Sequence, residues 1–166
     1  MEASTSSPVD TATRDLQALQ RRDAAGMAEC YAEDAVVDFV PIGPVRGSDE
    51  IREFFEGLFA AVPDLETTYE IVAADDDTVV VEWRNRGTFS GAPFQGVDAT
   101  GRDVEFRGVD VMKIKDDRIA HNTAYYDGMD FARQIGMMPA MDSPAERAMK
   151  TAFNATTKLR QRFSQR

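Results

Sequence analysis

The hydrophobic period of this chain changes once, and that change constrains the fold more than any other feature. Before Pro63 the strongest signal is helical. Ile51, Phe54, Phe55, Leu58 and Phe59 fall at i, i+3, i+4, i+7 and i+8, one face of an amphipathic helix that Ser48 opens and Pro63 ends. From Glu66 onward the period is two. Glu66–Ala74, Thr78–Phe89, Val104–Lys115 and Arg118–Tyr126 read as strands, joined by Asp75-Asp76-Asp77, by a Gly/Pro loop over about 90–102, and by Asp116-Asp117. An antiparallel meander with one apolar face must be covered, and the helices ahead of it supply the cover.

The upstream part adds more cover. Residues 1–9 read as a disordered lead. Asp10 or Thr11 can cap a helix running to about Arg22, with Ala12, Leu16 and Leu19 on one stripe. Asp23 can cap a short helix on which Met27 and Tyr31 face the same way. Ala35–Val40 reads as a strand closed by Pro41 and the glycines at 43 and 47. After Asp127-Gly128, the residues Phe131, Ile135 and Met138 suggest one more short helix. Ser143-Pro144-Ala145-Glu146 is a capping box that opens a last helix, with Met149, Ala152, Phe153 and Phe163 along one side. The expected fold class is α+β, a curved, mostly antiparallel sheet with helices on one face. The expected domain covers residues 10–140, and 141–166 form an additional basic helix.

Charge narrows the partners. The 166 residues carry a net charge of −10, so nucleic acid and an anionic membrane are poor partners for the body. The charge is uneven. Arg147, Lys150, Lys158, Arg160, Arg162 and Arg166 lie in the last 20 residues without one acid among them. A basic tail on an acidic body most simply docks on that body or on a partner subunit. No apolar run is long enough to span a bilayer. The polar start lacks the features of a secretory signal. One cysteine, Cys30, allows no internal disulfide, and a cytoplasmic location is expected.

Familiar chemistries drop out by motif. His121 is the only histidine, so a zinc or two-histidine iron site is not expected, and no metal or organic cofactor is called for. There is no glycine-rich nucleotide cradle and no Gly-x-Ser-x-Gly elbow. Cys30 sits on an amphipathic helix and reads as a small buried hydrophobe. Carboxylate, amide and phenol chemistry remain.

Strand parity picks out the candidates. From 79 to 89 the inward positions are Val79, Val81, Trp83, Asn85, Gly87 and Phe89, with Asn85 the one polar side chain among them. From 104 to 114 they are Val104, Phe106, Gly108, Asp110, Met112 and Ile114, and Asp110 stands alone. Asp38 lies between Val36 and Val40 on one parity. A carboxylate among apolar groups loses hydration and becomes a competent acid or base near neutral pH. Asn85 and Tyr126 can hold a developing oxyanion. Trp83, Phe89, Tyr31 and Phe55 are expected to wall a flat organic ligand, and Phe59, Met112, His121 and Asn122 to complete the lining. Each has a structural alternative. Asp110 can accept backbone N–H groups or pair with Arg84 or Arg86 across a bulge. Asp38 can serve a turn, Asn85 can bridge a bend, His121 can sit on the outer face, and Trp83 and Phe89 can be plain core.

Several segments occur in a familiar order. Arg22-Asp23-Ala24-Ala25-Gly26-Met27-Ala28-Glu29-Cys30-Tyr31-Ala32-Glu33-Asp34-Ala35-Val36 is followed by Val45-Arg46-Gly47 and Ile51. Then come Gly101-Arg102-Asp103-Val104-Glu105-Phe106-Arg107-Gly108-Val109-Asp110, Arg118-Ile119, Tyr125-Tyr126-Asp127 and Gln134-Ile135-Gly136. Together they resemble a SnoaL-like domain of the nuclear transport factor 2-like superfamily. The resemblance implies a cone-shaped sheet wrapped around a helix, a pocket between them, and a homodimer formed through the sheet. It also implies relatives that act without cofactor: polyketide cyclases, limonene epoxide hydrolase and ketosteroid isomerase. Where the cyclases and the epoxide hydrolase carry a catalytic aspartate on the last strand, this chain has Ala124. Where cyclases often carry histidine it has Asn122, with His121 one step off, and Phe89 stands at another such position. The Arg-x-Asp pair of the epoxide hydrolase falls on Trp83 and Asn85. The expectation is therefore a cofactor-free isomerase, lyase or cyclase acting on a hydrophobic polyketide- or terpenoid-like molecule, with Asp38 and Asp110 working from other strands. A small-ligand-binding protein without catalysis and an epoxide hydrolase-like hydrolase stand as alternatives.

Overall fold

The computed structural model describes residues 7–164. Helix α1 (Pro8–Gln20) begins on Ser7. The Ser7 hydroxyl accepts from Asp10 N while the Asp10 carboxylate takes the Ser7 backbone N–H, a capping box with proline at the first turn. Asp10 is thus the far half of the box rather than the cap, and residues 8–9 of the expected lead are helical. The rest of that lead, residues 1–6, lies outside the described residues. Helix α2 (Ala24–Cys30) is capped by Asp23, which accepts from Gly26 N at 2.9 Å. Tyr31 leaves this helix and opens strand β1 (Tyr31–Phe39), which hairpins into β2 (Gly43–Arg46). Helix α3 (Ser48–Ala61) starts without a side-chain cap: Gly47, at φ +82°, turns the chain in where a serine cap was expected.

The meander follows as β3 (Glu66–Ala74), β4 (Thr78–Phe89), β5 (Arg102–Lys115) and β6 (Arg118–Tyr126), then α4 (Gly128–Gln134) and α5 (Pro144–Ser164). The strands form one curved, unclosed sheet in the order β2-β1-β6-β5-β4-β3. Every pairing is antiparallel except β1 with β6, where Val37 faces Asn122 and Phe39 faces Ala124. Between Tyr31 and Val36 the register slips against Ile119 and His121, a bulge that bends β1 along the cone.

The core lies on the concave side. Leu16, Met27, Ile51 and Ala61 from the helices pack on Val37, Val79, Val81, Met112 and Ile119 from the strands, all at most 1% exposed. The convex side is polar: Arg84 and Arg86 both reach Glu105, at 2.8 and 3.0 Å. These exposed pairs contribute little to stability. Among the described residues no helix is long and apolar enough to cross a membrane.

Candidate active site

The cone is not filled to its centre. A cavity of about 80 Å³ remains between the concave face and α1–α3. Two aromatic groups face each other across it. Phe39 stacks on Phe54 at 4.3 Å, with Phe94 edge-on to Phe54. Opposite, Trp83, Phe106 and Tyr126 meet at 5.7–6.2 Å, with Phe131 against Phe106. Phe94 comes from the 90–101 loop and Phe131 from α4, so elements outside the sheet and the first three helices complete the wall.

Asp110 is at the polar end. It is ringed by protein, and the surface it keeps opens into the cavity. Its two oxygens are held separately. The Trp83 indole Nε1–H donates to Oδ1 at 2.8 Å, and the Asn122 amide donates to Oδ2 at 2.8 Å. Gly108, next inward on the strand, makes room for this. A Cβ there would run into the Trp83 ring, so the indole reaches Asp110 only over a glycine. Burial pushes Asp110 up to about 6, against the opposing pull of the Asn122 and Trp83 donors.

A second carboxylate, Asp15, lines the same cavity from α1 and is only 2% exposed. Burial, reinforced by the negative charge of Asp110, raises it well above the usual carboxylate range, and a hydrogen bond with Tyr31 opposes this. Its Oδ1 accepts no hydrogen bond among the described residues, and neither does Asn122 Oδ1. The Tyr31 hydroxyl lies against both side chains, and burial and the two acids push it upward as well. Asp15, Tyr31, Asn122 and Asp110 thus form one polar string in an aromatic box. The two acids share a cause: burial raises both, to about 6 for Asp110 and well above the usual carboxylate range for Asp15, where the charge of Asp110 adds to the effect.

The parity reading placed most candidates on the correct face. Asn85 lines the cavity, 6% exposed. Its Oδ1 accepts from Thr67 Oγ1 at 2.6 Å, and among the described residues its amide nitrogen donates to none. Tyr126, Tyr31, Phe55 and Trp83 also line the cavity, and burial raises the Tyr126 hydroxyl. Phe89 and Met112 face inward but sit in the core away from the cavity, and Phe59 packs on Phe55 without reaching it. Asn122 is 2% exposed and outside the lining, where it holds Asp110 instead of facing a ligand.

Two candidates are displaced. Ala35, Val37 and Phe39 are the inward positions of β1, so Asp38 faces the other side, opposite Pro44 of β2, and does not line the cavity. Nor does His121, which is exposed and 3.2 Å from the Thr123 hydroxyl. The Arg84 or Arg86 partner considered for Asp110 is on the convex face with Glu105. Asp15 was missed. It sits between Ala12 and Leu19 at helical spacing on the stripe that marked α1, and one acid on an apolar stripe was the available signal.

The family model for the SnoaL-like polyketide cyclase matches residues 10–135. No functionally curated protein matches the chain. Among solved structures, a candidate SnoaL-like polyketide cyclase from Jannaschia sp. CCS1 superposes with a TM-score of 0.71. It is 23% identical, over 84% of this chain and 99% of that one. AclR, a candidate hydroxylase from Streptomyces galilaeus, gives 0.69 at 21% identity, over 93% of this chain and 96% of its own. IdmH, a candidate polyketide cyclase from Streptomyces antibioticus, gives 0.65 at 25% identity, over 78% and 98%. The matched span runs from α1 to the end of α4 and includes both acids, and the chain belongs to the SnoaL-like polyketide cyclase family.

Proposed function

We propose that the protein is a cyclase- or isomerase-type acid–base catalyst for a small, uncharged, apolar carbonyl compound. The observation that carries this reading is the pairing of two carboxylates on the wall of one aromatic cavity, both raised by desolvation. Asp110, fixed by Trp83 and Asn122, takes a proton from the carbon beside the carbonyl. Asp15 donates or shares its proton with the oxygen as charge builds there. The free N–H groups of Asn85 are a further donor on the cavity wall.

Charge and size narrow the guest. Among the described residues, the acidic or basic side chains along the cavity are Asp15 and Asp110, with no lysine, arginine or histidine to balance an anion. A carboxylate- or phosphate-bearing reacting end is therefore disfavoured. A cavity of about 80 Å³ is smaller than the ~150 Å³ that admits benzene, so a ring-bearing guest enters only when Phe94 or Phe131 moves aside.

The test uses a simple bicyclic ketone, 2-tetralone, in D2O, with α-proton exchange followed by proton NMR. The wild-type protein should accelerate exchange, with a rate rising through an apparent pKa near 6. Asp110→Asn should abolish the acceleration. If wild type and Asp110→Asn exchange the ketone equally, the reading fails.

A further inference from the structure

Among the described residues, helix α5 is tied to the rest of its chain at its root and exposes the remainder of its length. Its root is fixed: Ser143 Oγ accepts from Glu146 N at 3.1 Å. The Glu146 carboxylate, which the capping box would send to the Ser143 backbone, instead takes Asp142 N at 2.8 Å and pairs with Lys150 at 3.0 Å and Arg133 at 3.4 Å. Beyond this anchor, every residue from Arg147 to Phe163 is exposed except Thr157, which is half-buried. Met149, Phe153, Leu159 and Phe163 lie along one stripe of the helix, and the two phenylalanines are 70% and 74% exposed. Arg147, Lys150, Lys158 and Arg162 take the opposite side. A helix of this kind, left in water, is marginal on its own.

We infer that α5 is a docking arm whose occupant is a second copy of this chain, laid against the acidic body of that copy. Charge selects this partner. The arm after Glu146 carries six basic residues and no acid, whereas the rest of the chain holds all 29 acids. Two arms repel each other, so arm-to-arm pairing is disfavoured. A strongly acidic body is likewise repelled by an anionic membrane, the other surface that attracts basic amphipathic helices. The body also offers an apolar landing. Val40, Ile42 and Met129 are each about half exposed. They are the chain neighbours of Pro41 and Gly128, which lie against each other, and Asp127 and Asp130 are adjacent in sequence. This corner adjoins α4, to which the arm's root is tied through Arg133, so a two-fold exchange brings each root close to the landing of the other copy. The two phenylalanines leave roughly 300 Å² of ring in water. Counted on both faces and for two arms, that approaches the ~1,200 Å² of a specific interface. The AclR superposition, covering 93% of this chain, extends into α5, so the arm is part of a fold shared beyond this protein.

The test labels full-length Phe153→Cys with benzophenone maleimide, irradiates it, and maps the products by mass spectrometry. The native thiol, Cys30, is buried. The expected product is a covalent dimer linking position 153 to the body of the second copy, reduced at least threefold in 0.5 M salt. Cross-links within one chain, from arm to arm, only in the presence of phosphatidylglycerol vesicles, or none at all, each overturn the inference. A label-free check uses amide exchange. Residues 150–163 should exchange at least tenfold slower in wild type than in Phe153→Asp/Phe163→Asp, and equal rates overturn it.

Discussion

Replacing Asp110 with asparagine should stabilise the protein at neutral pH, and the size of the gain follows from the site. The native carboxyl sits at about 6 against an ordinary 3.8. A carboxyl raised in this way keeps its proton longer in the folded state. Between pH 3.8 and about 6 the native protein therefore binds more protons than the unfolded chain, and stability falls as pH rises through that window. The shift corresponds to about 3 kcal/mol, incurred in full only above pH 6. Asparagine removes the ionisation and nearly keeps the shape. Its Oδ1 still accepts from Trp83, and a flip of the Asn122 amide offers the new N–H2 the oxygen that otherwise has no partner. Urea unfolding at pH 4 and pH 7, followed by fluorescence, reports on this directly because Trp83 is the only tryptophan. The stability difference between variant and wild type should move in favour of the variant by about 2.4 kcal/mol from pH 4 to pH 7. This is a melting shift of roughly 5–10 °C for a domain of this size. A difference that stays constant with pH, or moves the other way, would refute the assignment of Asp110 as a buried acid bearing an ionisation cost.

Three other outcomes follow from the same geometry. Trp83→Phe removes the N–H on Asp110 Oδ1, so carbon-13 NMR of the carboxyl should show Asp110 titrating above its wild-type value. Asp110→Asn should lower the titration point of Asp15 in the same spectra, since the Asp110 charge helps to raise it. Gly108→Ala should cost about 1–3 kcal/mol in urea unfolding and alter Trp83 fluorescence, because the new methyl occupies the space of the indole.

The long elements were legible because their signals are local and periodic. The alternation from Thr78 to Phe89 and from Val104 to Lys115 put Trp83, Asn85 and Asp110 on the correct face. Asp38 failed for the same local reason. Val36 and Val40 flank it as convincingly as Ala35, Val37 and Phe39 mark the other face, and only the pairing of β1 between β2 and β6 decides which side meets the helices. Tyr31 looked helical because Met27 lies four residues before it; the bulge that turns it into the cone is set by strand β6. Asp15, placed among Ala12, Leu16 and Leu19, carries the same anomaly as Asp110, but on a helical stripe rather than a strand face. The partnership of Asp15, Tyr31 and Asn122 joins three distant stretches, which no local window displays.

The parallel seam between β1 and β6 bears on how the site comes into being. Val37 meets Asn122 only once nearly all of the domain exists as chain, so the strand carrying Tyr31 must wait, edge exposed, while the meander is being synthesised. Assembly of the acid pair is then a late event, and a chain cut short before Arg118 would lack the strand that joins β1 to the meander and so could not bring Tyr31 and Asp110 together.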